Sequence, residues 1–306
     1  MPRTMDPRRS RSGMRIIGLG EVLWDVFQDQ EHLGGAVLNF CVHISRLGHD
    51  VSLISSVGTD NRGRRALETL AKLGLSTRFI PAVTDNPTGI VTVTIDSEGE
   101  PSYVIHRPAA YDCVRLGESE LETLTALRPN WICYGTLHSM APDARTLLRT
   151  LIARNPNTRR FYDVNLRRES FTEELVIELL GLAHLVKLNQ TEARAVQGMF
   201  GTNDESMEAF CRSYAARFGW QGVCVTRGEN GCALLLHDRY EEVDGYNVEV
   251  ADTVGAGDAF SAAFLHGVHA GWAPRRVGEF ANRLGSIIAG RRGGVAEWSV
   301  TELAVP

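Results

Sequence analysis

The strongest constraint on this chain is a rhythm. Short apolar runs alternate with longer stretches patterned at helical spacing. Arg15-Ile-Ile-Gly-Leu-Gly, Val51-Ser-Leu-Ile-Ser-Ser-Val, Trp131-Ile-Cys-Tyr, Arg160-Phe-Tyr-Asp-Val, Leu185-Val-Lys-Leu and Gly222-Val-Cys-Val-Thr read as buried strands. Residues 38–47, 62–73, 143–154, 173–182, 191–197 and 206–218 carry helical patterns between and beside them. Such alternation makes βαβ units, whose strands are covered on both faces. The sequence therefore predicts an α/β fold: a doubly wound, mostly parallel sheet with helices on both faces. Ligands bind such sheets beyond the carboxyl ends of the strands.

One region breaks the rhythm. Residues 89–106 alternate apolar and polar around a polar Gly turn and predict an antiparallel hairpin. A hairpin inserted into an α/β domain is a candidate lid, with an edge decoration as the plainer alternative. Residues 1–13 are rich in Arg and Ser and lack an apolar core segment. They read as a disordered tail rather than a secretory signal, with the folded part spanning 14–306.

Composition excludes several classes. A net charge of −5 argues against a general nucleic-acid binder. Positive charge is almost all Arg, lysine occurring only at 72 and 187. No run of 18 apolar residues offers a membrane span. The six cysteines form no Cys-x-x-Cys pair and most sit in apolar runs, as reduced core residues of a cytoplasmic protein do. No Gly-Lys dipeptide exists, so there is no P-loop, and neither His-Arg-Asp nor Asp-Phe-Gly occurs. Gly18-Leu-Gly20 lacks the third glycine of a dinucleotide fingerprint. His266 and His269 have no acidic partner in register and read as packing or surface residues rather than metal ligands.

The segment Asp252-Thr-Val-Gly-Ala-Gly-Asp258 opens a predicted helix at 259–270. Gly255 and Gly257 tolerate φ > 0 and leave their N–H groups uncovered. Successive N–H groups at a helix N-terminus form an anion site, which the helix dipole reinforces. A carboxylate there is repelled by the anion, so Asp258 suits proton abstraction beside a phosphate. Ordinary N-capping is the alternative. Lys187-Leu-Asn189-Gln-Thr-Glu192 puts an amide and a carboxylate at a strand end, either as a capping box or as hard oxygen donors for Mg²⁺.

These motifs resemble those of the ribokinase-like (PfkB) carbohydrate kinases, over roughly residues 15–297. The Gly255-Ala256-Gly257-Asp258 run is similar to that family's anion hole and catalytic base. Asn189 and Glu192 resemble its Asn-x-x-Glu element, which implies Mg²⁺ held through water. The resemblance places ATP at Thr226, Gly228 and Asn282. It places the sugar at Asp25, Gly34, Gly35 and Asn39. The run Asp163-Val-Asn165-Leu-Arg167 resembles the fructokinase and 2-keto-3-deoxygluconate kinase branch, and Arg107 and Tyr103 are further acceptor candidates. Asp252, Val254, Ile288, Arg291 and Gly293 match positions of the family's K⁺ site, with Glu297 where ribokinase has Ser.

The resemblance implies an ATP-dependent sugar kinase acting on a fructose-like ketose or keto-sugar acid. Only eight residues separate Asp25 from Gly34. That predicts a small lid from about 26–34 and 88–110, built mainly from the hairpin, and leaves little surface for a ribokinase-style homodimer. Two other functions stay open. One is a nucleoside or small-alcohol kinase, with Trp24 and Tyr103 stacking a base. The other is a sensor that binds without turnover.

Overall fold

The computed structural model describes residues 13–28, 30–95, 101–167, 170–202 and 206–303. The expected tail lies almost wholly outside these residues, as does the turn of the hairpin. Eight strands form the main sheet in the order 239–243, 232–236, 222–226, 185–189, 159–163, 131–135, 15–19 and 50–54. The six from 222–226 to 50–54 run parallel, and the last two chain segments, 232–236 and 239–243, close one edge antiparallel.

Successive side chains on a strand point to opposite faces. Ile16, Cys133, Phe161, Leu185 and Cys224 face one core, with the helices Ala36–Arg46, Ala256–His269 and Pro274–Ala289. Ile17, Ile132, Tyr162, Val186 and Val223 face the other, with Pro142–Arg154, Glu173–Leu182 and Met207–Phe218. Continuous apolarity in these strands follows from this double burial.

One expectation changes. The first strand stops at Leu19, and Leu23–Val26 lies outside the main sheet, paired in parallel with Gly89–Ile95. The segment predicted as a hairpin alone is half of a four-stranded sheet, ordered Glu31–Gly34, Leu23–Val26, Gly89–Ile95, Pro101–Ile105. The eight residues between Asp25 and Gly34 suffice because they return as a hairpin. Trp24 helps anchor this sheet. Its indole donates to the Arg62 carbonyl at 3.1 Å, and the Arg65 guanidinium lies 4.5 Å above its ring.

Candidate active site

The helix Ala256–His269 starts in a conformation only glycine adopts easily. Its N-cap, Gly255, has φ 76°, and a Cβ there would lie 2.3 Å from Gly294 Cα. The neighbouring Ala36–Arg46 helix holds Gly294 in that place. His43 Nε2 donates to the Gly294 carbonyl at 2.8 Å, its tautomer set by Trp298 Nε1, which donates to His43 Nδ1 at 2.9 Å. Arg46 donates to the carbonyls of Val295 and Ala296. One turn earlier on the same helix, Asn39 Nδ2 donates to Asp258 Oδ2 at 2.9 Å.

Asp258 sits in the first turn after Gly255. Burial raises its pKa to about 7, and the Asp163 charge adds to the rise, against the Asn39 hydrogen bond and the charges of Lys187 and Arg167. A carboxylate balanced near neutrality can take a proton at pH 7 and release it again.

Two cavities meet at this helix terminus, and Thr226, Thr253 and Gly257 border both. The first, about 280 Å³, is lined by Asp25, Gly35, Asn39, Tyr103, Asn165 and Arg167, with Gly255 and Asp258 on its floor. Burial pushes the Asp25 carboxyl up to about 6, with Arg167 opposing. Gly35 has φ 126°, and a Cβ there would lie 2.2 Å from the Glu21 carbonyl oxygen. Gly34 lies just outside the lining, and a Cβ on it would come within 2.5 Å of Asp25 Oδ2. The glycine pair thus lets the small sheet bring Asp25 against the start of the Asn39 helix.

The second cavity, about 330 Å³, is lined by Thr226, Gly228, Gly231, Ala256, Asn282 and Ser286 with Tyr246, Val248 and Val250. Asn282 Nδ2 donates to the carbonyls of Val243 and Asp244, which fixes the amide against the cavity wall.

Several expected residues stand differently. Arg107 does not line the first cavity. Asp112, brought close by the turn at Ala109–Ala110, takes its guanidinium in two hydrogen bonds of 2.5 and 3.1 Å, and the Leu137 carbonyl takes a third. Asp163 also stays off the lining. It accepts from Lys187 Nζ at 3.2 and 3.4 Å and from Ser261 Oγ at 2.6 Å. Asn189 and Glu192 border the cavity but form the capping box. Asn189 Oδ1 accepts from Glu192 N, Glu192 Oε2 from Asn189 N, and Glu192 Oε1 from Leu166 N. Both Asp252 oxygens accept backbone N–H groups, from Val254 and Gly293 at 3.0 Å each. The Ile288 carbonyl accepts from Arg291 N, and the Arg291 guanidinium bonds the Glu297 carbonyl and the Glu302 carboxylate. Among the described residues no cluster of three His, Cys, Asp or Glu is arranged to hold a metal. His266 Nδ1 and His49 Nε2 are hydrogen-bonded at 2.8 Å. No helix of the described residues is long and apolar enough to cross a membrane.

Sequence reasoning missed two charged residues of the first cavity's lining. Glu21 is buried, and its Oε1 accepts from Ala36 N at 2.8 Å. Lys187 is buried on the strand Leu185–Asn189. A charged residue inside an apolar strand was the available signal for Lys187. Glu21 carried none.

The sequence profile of the pfkB family carbohydrate kinases matches residues 8–300. The chain belongs to this family. It is a phosphotransferase with an alcohol group as acceptor, a sugar kinase by family. An uncharacterized sugar kinase of Pyrococcus horikoshii is 29% identical over 298 residues, spanning 91% of each chain. Its crystal structure gives a TM-score of 0.77 over 92% of this chain and 93% of that one, and it has also been solved in complex with ATP. Fructokinase of Escherichia coli is 27% identical over 282 residues, 85% of this chain and 86% of its own. A 2-dehydro-3-deoxygluconokinase structure from Thermotoga maritima, 18% identical, shares the fold with a TM-score of 0.82 over 95% and 98% of the two chains.

Proposed function

We propose that this pfkB kinase transfers the γ-phosphoryl group of ATP to a hydroxyl of a small polar sugar, a fructose-like ketose or a keto-sugar acid. The observation that carries the reading is the junction at Gly257. Asp258 faces one cavity and the adjoining backbone faces the other, so a base for the acceptor hydroxyl and an anion cradle for the phosphoryl group share one helix turn. Asp258 takes the hydroxyl proton. The Gly255–Gly257 N–H groups stabilise charge on the group in transit.

Residues 14–306 form the kinase domain, and segments 26–34 and 88–110 form the lid. Asp25 on the small sheet grips sugar hydroxyls, Asn39 holds Asp258 in place, and Asn165 and Arg167 on the same lining offer further polar contacts. Tyr103, 43% exposed, lies on the lid and covers the sugar on closure. Exclusion of water protects the phosphoryl group from hydrolysis.

ATP fits the second cavity, whose apolar walls suit a flat base and whose Thr226–Gly231 turn presents backbone to phosphates. The protein of P. horikoshii solved with ATP supports this. Mg²⁺ supplies charge neutralisation across the phosphates when bound. Asn189 and Glu192 would reach it through water, since their side-chain oxygens already accept backbone N–H groups. A K⁺ site at Asp252, Val254, Ile288, Arg291 and Gly293 draws no support from this geometry, because Asp252 ties two loops together.

The test is an ADP-release assay with Mg-ATP against ketoses, keto-sugar acids, ribose and nucleosides. Turnover on fructose or a keto-sugar acid is expected. Turnover on a nucleoside alone would replace the acceptor class, and ATP binding without turnover on any acceptor would favour the sensor.

A further inference from the structure

The turn that opens the helix Ala256–His269 leans on a segment with no ladder of its own. Residues 291–298 belong to no helix or strand. Their buried backbone groups still need partners. Side chains of the helix Ala36–Arg46 supply several of them. Asn39, His43 and Arg46 stand at i, i+4 and i+7, which puts them on one face of that helix. Arg46 donates to the carbonyls of Val295 and Ala296, His43 to that of Gly294, and Asn39 to Asp258 itself.

The carbonyl that His43 holds belongs to the residue packed tightest against the helix start. A Cβ on Gly255 would lie 2.3 Å from Gly294 Cα and 2.5 Å from its carbonyl oxygen. A Cβ on Gly294 would in turn lie 2.7 Å from Asn39 Nδ2. Gly294 is thus wedged between the N-cap of the helix and the amide that holds Asp258. Among the described residues no other donor reaches its carbonyl.

His43 is fully buried, and both of its ring nitrogens are engaged. Trp298 Nε1 donates to Nδ1 at 2.9 Å, which leaves the ring proton on Nε2 for the Gly294 carbonyl at 2.8 Å. The two rings stack with centroids 6.4 Å apart. Burial pushes the pKa of His43 down to about 4, so the ring is neutral at pH 7. An apolar side chain would fill this space without the cost of burying a polar ring. It could not hold the carbonyl.

We propose that His43 is a positioning residue for phosphoryl transfer: by fixing the Gly294 carbonyl it seats the Gly255 turn and the Asn39 amide, and through them Asp258. The proposal rests on the kinase reading above. His43 lines neither cavity, so it touches neither substrate and exchanges no proton with them. Its effect is on alignment. A base and an anion cradle that share one helix turn lose rate together when that turn shifts.

The test compares wild type, His43→Gln, His43→Ala and Trp298→Phe. Steady-state kinetics are measured with Mg-ATP and whichever acceptor of the panel wild type prefers. Hydrogen–deuterium exchange is measured on peptides covering 251–259 and 291–298. Glutamine carries an amide N–H near the place of Nε2, and alanine carries none. His43→Ala should lose about 10–100-fold in kcat, with both KM values within about threefold of wild type. Its exchange should speed up in those two segments and hold elsewhere. His43→Gln should restore kcat to within about threefold of wild type and restore the exchange, because the donor is back. Trp298→Phe frees the tautomer and should cost about three- to tenfold in kcat.

Normal kcat in His43→Ala would leave His43 a core residue only. So would a loss carried by either KM, a deficit that glutamine leaves unrepaired, or faster exchange across the whole fold. If wild type phosphorylates no acceptor, the kinase reading fails, and the exchange comparison still decides whether His43 seats the Gly255 turn.

Discussion

The two cavities that meet at Gly257 are built from different materials. The cavity proposed for ATP is mostly backbone and apolar wall, with Gly228 at φ 60°, Gly231 at φ 79°, and Tyr246, Val248 and Val250 around them. The cavity proposed for the acceptor carries six charged side chains, Glu21, Asp25, Arg167, Lys187, Glu192 and Asp258, drawn from separate segments of the chain. A flat base and a phosphate chain are gripped by shape and N–H groups, which many sequences supply. A polyol is recognised by the direction of each hydrogen bond, which only placed side chains supply. Substitutions on one side should therefore shift one ligand and spare the other.

Asp258 sits next to Gly257, where the two sides meet, and its loss should have the largest effect. Asp258→Asn should lower turnover by about 10²–10⁴-fold while ATP and sugar still bind in calorimetry. Near-normal turnover would remove it as the base. The same variant should gain stability at pH 8. The folded protein holds this proton up to about pH 7, whereas an unfolded aspartate releases it near pH 4. Stability thus falls as pH rises between those values, and the cost persists above them. Relief of about 1–3 kcal/mol in denaturant unfolding at pH 8 is expected.

Next in size is Arg167→Met. It should raise the acceptor KM by about 10–100-fold, the worth of a hydrogen bond to a charged group, and leave the ATP KM unchanged. Equal damage to both would dissolve the distinction between the cavities.

The pH profile sharpens it further. With Asp258 near 7 and Asp25 near 6, kcat/KM should drop about tenfold per pH unit below 7 and more steeply below 6. Titration of acceptor binding should show only the lower limb. A flat rate profile from pH 5 to 8 would contradict the assignment of Asp258.

The smallest effect belongs to the backbone side. Gly228→Ala introduces a Cβ at φ 60° with no atom in its way, so the cost is conformational only, about 1 kcal/mol. The ATP KM should rise about fivefold and the acceptor KM should hold.

Much of the fold was legible because it rests on local patterns. Each strand of the parallel region is a buried apolar run, and each helix between them has its own periodicity. The start of the helix after Asp252–Asp258 was legible for the same reason, since a glycine cap and a carboxylate sit within one turn. Locality misleads where a nearer partner competes. Arg107 pointed to the acceptor in the sequence, yet Asp112 is five residues away and takes it. Asn189 and Glu192 carried two readings, and their side chains satisfy the helix terminus first.

By itself, the sequence determined the α/β class, a helix after the Gly255–Asp258 run (expected at 259–270, observed at Ala256–His269) and the family the chain joins, because each depends on residues close together along the chain. Tertiary structure alone decided that Leu23–Val26 joins the small four-stranded sheet rather than the main one, that Asn39 meets Asp258 across 219 positions, and that Lys187 comes to lie beside Gly257. Those contacts join distant segments through packing and burial, and no spacing in the sequence encodes the distance between them.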